Sequence, residues 1–156
     1  MQPFPHVYRV NAAAAVEGAV TLASGSVADL QSAAPREFDG PGDQWSPEAL
    51  LCAAVASCFV LTFRAIARAS KLRWQQLDCN VEGTLERVEG GTQFTRIVTH
   101  ATLRVPPDVN VELCNRLLEK AEQGCLVANS LRSRRELQAK VMTVERAEAA
   151  HIGAIA

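Results

Sequence analysis

The chain has 156 residues, 48% of them apolar, which suits a single domain with a sizeable core. Its formal net charge of −1 argues against nucleic acid as the main partner. The opening MQPFPHVYRV lacks the charged start and apolar run of a secretory leader, so a reducing cytoplasm is the expected setting and structural disulfides among the five cysteines are not expected.

In chain order, residues 7–33 alternate loosely (Val7, Val10, Val16, Val20, Leu22, Val27, Leu30), broken by Glu17-Gly18 and Ser24-Gly25-Ser26. This predicts two or three short strands with tight turns. Residues 34–45, APREFDGPGDQW, predict a loop. Ser46-Pro47-Glu48 then predicts a helix start: Ser caps, Pro fits the first helical position, and Glu suits the positive end of the dipole. The helix is expected to run to about Ser70. Its apolar stretch, Ala49 to Phe63, is short for a membrane span of about 20 residues, so no membrane partner is expected. Being apolar all round, its first part should be buried on every side. One layer of strands covers only one side, so a second subunit is the simplest cover for the rest.

Residues 77–88 and 93–105 alternate as two strands joined by Glu89-Gly90-Gly91-Thr92. Pro106-Pro107-Asp108 ends the second strand and opens a helix over about 109–123, with Cys114, Leu117, Leu118 and Ala121 on its apolar face. Residues 136–146 predict a last strand, and 147–156 a loosely held tail. Strands and helices are segregated, so the expected class is α+β with an antiparallel sheet.

Two cysteines stand in informative contexts. Cys58 lies in SPEALLCAAVASCF, inside the apolar helix, and Cys125 lies in EKAEQGCLVANSL, after a Gly at a helix end. Together with PREFDGPGDQWSPEALLCAAVASC, these runs resemble the two signature regions of the OsmC/Ohr family: a Pro-Glu opening a central helix, a Cys about ten residues later, and a second Cys in a Gly-Cys segment followed by Asn-Ser-Leu. The resemblance spans nearly the whole chain. It implies an intertwined homodimer whose sheet wraps around two central helices. It also implies thiol-dependent reduction of organic or inorganic hydroperoxides at the subunit interface, without a cofactor. Cys58 is then the attacking thiol, Cys125 the resolving thiol that forms a Cys58–Cys125 disulfide, Glu48 the active-site acid, and a dithiol of lipoyl type a possible reductant.

The residues set conditions on that chemistry. A thiolate, not a thiol, is the nucleophile. The helix neighbours of Cys58 at three and four positions are Ala54, Val55, Leu61 and Thr62, none charged, and burial alone raises a thiol's pKa. A cation from elsewhere in the fold is therefore expected. Cys125 sits at a helix C-terminus, where the dipole disfavours a thiolate. Glu48 lies about 15 Å from Cys58 along one helix, so a working pair would form across a dimer or through a loop. Its plainer reading is a first-turn charge on the dipole. The family's peroxidases carry a Gly-Gly-Arg turn near the N-terminus, and the corresponding stretch here reads AVEGAVTL. Arg36, in the loop leading into the helix, is the candidate substitute. Without the family's Arg, a non-catalytic redox-sensing or small-ligand-binding role on the same fold is the rival reading.

The remaining candidates read as structural. Cys52, Cys79 and Cys114 are expected as small core residues. His6, His100 and His151 show no ligand spacing and no CxxC occurs, so no metal is expected. Arg132-Ser133-Arg134-Arg135 is read as a solvated turn in preference to cationic help for a thiolate. Trp45 and Phe59 suit either a substrate pocket wall or packing.

Overall fold

The computed structural model describes residues 3–145; the predicted loose tail lies outside them. The chain divides between Leu51 and Cys52 into two compact units.

In the first unit, strands β1 (Asn11–Ala13), β2 (Val20–Ala23) and β3 (Leu30–Ser32) form an antiparallel sheet in that order. Residues 34–45 form a loop as expected, with a short 3-10 helix at Arg36–Phe38. Ser32 and Trp45 form a parallel bridge, and the Ala33 N–H donates to the Trp45 carbonyl at 3.0 Å. Gly40 closes the loop by close approach: a Cβ there would stand 1.7 Å from the Ala34 carbonyl oxygen. The Gly40→Ala variant is expected to lose about 1–3 kcal/mol of stability. Chemical denaturation checks this; an unchanged midpoint would show that the 34–35 backbone yields freely.

Helix α1 (Pro47–Ala69) begins where the sequence places it. The buried Ser46 accepts through its hydroxyl from the Ala49 N–H at 3.1 Å and through its carbonyl from the Leu50 N–H at 2.9 Å. At 23 residues α1 is long and apolar enough to cross a membrane by length and composition alone. It carries Arg64 and Arg68 in its last turns, and its Val55, Phe59, Phe63 and Ala67 stripe is fully buried in a protein core. All-round burial of α1 is not seen among the described residues. Leu61, on another face, is 58% exposed, because the layer beneath the helix reaches only one side.

The second unit holds β4 (Gln76–Val88), β5 (Gly91–Val105), α2 (Val111–Gly124), α3 (Leu126–Asn129) and β6 (Arg134–Thr143). β4 and β5 pair antiparallel from Gln76↔Arg104 to Val88↔Gly91. β6 corrects the expected all-antiparallel sheet: it pairs parallel to β5, from Arg96↔Arg134 to Val105↔Thr143. The two helices between β5 and β6 carry the chain back to the start of β5, a crossover that allows parallel pairing. α2 is capped by the Asn110 side chain, which accepts from the Leu113 N–H at 2.9 Å. Its Cys114, Leu117, Leu118 and Ala121 face joins the α1 stripe and Ile97, Ala101, Leu103 and Val105 of β5 in one core. Phe63 meets Trp74 edge-on at 5.4 Å. Phe59 is thus a core side chain, not a pocket wall.

Candidate functional site

α1 carries Cys58 beside the buried Phe59, half-buried against the core. α2 ends over the same part of α1. A Cβ at Gly124 would lie 3.3 Å from Thr62 Cγ2, so glycine there permits the close approach of the α2 end to α1. Cys125 follows immediately. Its N–H donates to the Glu122 carbonyl at 3.3 Å, and its thiol lies 3.9 Å from the Val55 carbonyl oxygen. Cys125, which the sequence places after a Gly at a helix end, is fully buried. The four-residue α3 that follows it was not foreseen.

Around the Cys58 sulfur the fold collects four donors. Burial pushes this thiol up, but the Val127 N–H, the Cys125 thiol, the Leu126 N–H and the Thr62 hydroxyl all donate to it. Together they outweigh burial and hold Cys58 below its ordinary value. The expected cation is therefore replaced by backbone amides and a hydroxyl. Cys125 goes the other way. Burial first, then its hydrogen bond to Cys58 and the charges of ionised Cys58 and Glu122, push it up to about 11 against the help of the Ala128 N–H. The pair thus separates into a Cys58 thiol that ionises more readily than usual and a Cys125 thiol that holds its proton. A Thr62→Val variant should alkylate at Cys58 about 3- to 10-fold more slowly at pH 7. Iodoacetamide kinetics resolved by peptide mass spectrometry read this, and an unchanged rate would remove the hydroxyl from the site.

Three further groups surround the pair. Cys79 on β4 is raised to about 11 by burial and by the Glu122 and Cys125 charges. Glu122, its side chain 13% exposed, has one carboxylate oxygen buried without a hydrogen-bond partner. Burial pushes its carboxyl up and Arg135 pulls it down. Arg135 lies 3.8 Å from the other Glu122 oxygen and donates to Asn129 Oδ1 at 2.5 Å. The Arg132–Arg135 run is solvent-facing as read, but it is not all turn: Arg134 and Arg135 open β6, and the exposed Arg135 pairs with Glu122. Cys52 and Cys114 are raised chiefly by burial, as thiols held among other side chains.

Glu48 and Arg36 belong to the first unit. Glu48 lies in the first turn of α1, with one carboxylate oxygen buried and unpartnered. Arg36 opens the 3-10 helix, and its side chain lies so close over Gly42 that a Cβ there would meet its Nε at 2.2 Å. The turn between β1 and β2 holds Gly18 at φ 98° and no arginine. In the second unit an open pocket of 740 Å³ is lined by Ser57, Val60, Arg64, Cys79, Asn80 and His100 among others; neither Cys58 nor Cys125 lines it. Among the described residues no group of three or more His, Cys, Asp or Glu side chains is placed to hold a metal ion.

The α+β fold thus brings the Cys58 thiol of α1 within hydrogen-bond reach of the Cys125 thiol on the turn after α2. Residues 40–140 match the family described as OsmC-like protein, and the chain belongs to the OsmC family. It is 29% identical to YmaD of Bacillus subtilis (strain 168) over 107 residues, 67% of this chain and 71% of that protein. It is 30% identical to an organic hydroperoxide resistance protein of Xanthomonas axonopodis pv. citri (strain 306) over 113 residues, 71% of this chain and 77% of that protein. The crystal structure of an organic hydroperoxide resistance protein OsmC from Legionella pneumophila superposes with a TM-score of 0.70 at 25% identity, covering 91% of this chain and all (100%) of that one.

Proposed function

We propose that this protein is a thiol peroxidase that reduces organic hydroperoxides through Cys58 and Cys125. The observation that carries the reading is the opposed acidity of two thiols within hydrogen-bond reach of each other. The Cys58 thiolate attacks the terminal peroxide oxygen: an S–O bond forms, the O–O bond breaks, and the alkoxide leaves as alcohol with a proton from solvent. Cys58 is then a sulfenic acid. The Cys125 sulfur attacks it, an S–S bond forms, and water leaves with the Cys125 proton. An external dithiol returns both thiols and is itself oxidised to a disulfide. The family resemblance makes a lipoyl-type dithiol the first to try.

The same reading has the protein work as a homodimer. The exposed Phe4, Val7, Tyr8 and Val10 in the first unit and Leu61 on α1 supply apolar surface for a second subunit to cover. Glu48, with its unpartnered carboxylate oxygen, orients the site in this proposal, and Arg36 stands in for the arginine absent from the N-terminal turn.

Cumene hydroperoxide consumption with a dithiol tests turnover, and non-reducing peptide mass spectrometry tests the route. The expected products are a Cys58 sulfenic acid and a Cys58–Cys125 disulfide. Peroxide-dependent disulfide without turnover favours the redox-sensing alternative, which the missing arginine motivates. Absence of both species sinks the proposal.

A further inference from the structure

Every donor that reaches Cys58 from outside its own helix comes from one short segment, Cys125 to Val127. That segment lies between the end of α2 and the end of α3, and its place is set by a network that centres on β6. The last carbonyls of a helix have no partner within it. Here two of them are taken up from outside. Arg135 Nη1 donates to the Glu122 carbonyl at 3.5 Å, and Asn129 Nδ2 donates to the Gln123 carbonyl at 2.9 Å. The same Arg135 nitrogen donates to Asn129 Oδ1 at 2.5 Å and stands 3.8 Å from Glu122 Oε1. The Asn129 N–H closes the loop on the Cys125 carbonyl at 2.9 Å. Arg135 and Asn129 thus span the segment from both ends, and Arg135 is itself held by the β5–β6 ladder opposite Ile97.

We propose that Arg135 is a positioning residue: through Asn129 and the Glu122 carbonyl it fixes the turn that brings the Cys125 thiol and the Leu126 and Val127 amides onto the Cys58 sulfur. It touches neither thiol. Its guanidinium suits the task, because one charged nitrogen with two N–H groups bonds the carbonyl and the amide oxygen while standing beside the carboxylate. This inference rests on the thiol reading above, but it concerns the ionisation of Cys58, which can be measured without peroxide. The titratable groups facing the pair are Cys79 from β4, Glu122 from α2 and Arg135 from β6. The α1 neighbours of Cys58 are uncharged.

The test is the pH profile of Cys58 alkylation by iodoacetamide in the fully reduced full-length protein, for wild type, Arg135→Met and Asn129→Ala. Thermal unfolding is followed in parallel. Both variants are expected to move the Cys58 profile to higher pH, with alkylation about tenfold slower at pH 7, the change that one unit of thiol pKa produces. Asn129→Ala keeps the Arg135 charge and removes only the relay. A shift in Arg135→Met with an unmoved Asn129→Ala would reveal a simple charge effect and overturn positioning. So would an unmoved profile in Arg135→Met. If Arg135→Met does not fold, the Asn129→Ala profile alone decides, in the same direction. A wild-type protein that consumes no hydroperoxide, yet whose variants shift the profile as expected, would remove the peroxidase reading and leave this one standing.

Discussion

Replacing Cys58 with Ser is expected to lower hydroperoxide consumption by about 10³-fold or more, because no other thiol in the unit is lowered from its ordinary pKa. Cys79 and Cys125 are pushed up to about 11, and Cys52 and Cys114 are also raised. Each is therefore a poorer nucleophile than Cys58 at neutral pH. Cys125→Ser should behave differently. A serine hydroxyl still donates to the Cys58 sulfur, so the thiolate survives and the first step proceeds. What is lost is resolution. The Cys58 sulfenic acid should accumulate after one equivalent of peroxide, trappable by dimedone, and no intramolecular disulfide should form. Steady-state turnover should then depend on direct reduction of the sulfenic acid by the external dithiol. Full turnover in Cys58→Ser would place the chemistry elsewhere in the molecule. Equal loss of the first step in both variants would make the two thiols one nucleophilic unit, not an attacker and a resolver.

The contrast between these variants also shows what a sequence can carry. α1 is legible because its signals are local: Ser46 caps, Pro47 opens, and the apolar run continues for several turns. The β4–β5 hairpin and α2 are legible for the same reason, through alternation and the Cys114–Leu118–Ala121 face. The direction of β6 is not, since period-2 alternation reads the same in either direction. α3 is too short to show any period. Cys125 follows a Gly at a helix end, which reads as looseness, yet here that Gly lets α2 settle onto Thr62 and buries the thiol behind it. The activation of Cys58 was the least legible part. A cation announces itself by its side chain, whereas two of the four donors are peptide N–H groups of Leu126 and Val127, which have no side-chain signature. Thr62, four residues on from Cys58, is neutral, and a lone hydroxyl in an apolar helix does not single itself out as a thiolate donor. The Arg135–Asn129 link spans the irregular turn between α3 and β6, where no period in the sequence says which side chains meet.

The second large effect is a loss of stability in alkali. Cys79 and Cys125 have folded pKa values raised to about 11 from an ordinary 9.0. A thiol raised in this way keeps its proton in the folded state where the unfolded chain has released it. Its contribution is therefore full below pH 9, falls as pH rises from 9 to 11, and is gone above that. Cys58 has the opposite sign. Lowered in the folded state, it adds stability as pH rises toward 9 and nothing further beyond. Stability should thus hold up to about pH 9 and then drop. After discounting for solvent at the half-buried Cys79, the two raised thiols together account for a loss on the order of 2–3 kcal/mol between pH 9 and 11. Lysine and tyrosine side chains titrate over the same range, so the informative quantity is a difference. Urea unfolding at pH 8, 9, 10 and 11 should give a flatter curve for Cys79→Ala/Cys125→Ala than for wild type, even though the double variant begins less stable at pH 8 through its lost packing. Parallel curves would mean that both thiols ionise in the folded protein as freely as in the unfolded chain. Cys125 could not then be the proton-holding partner that the attack by Cys58 requires.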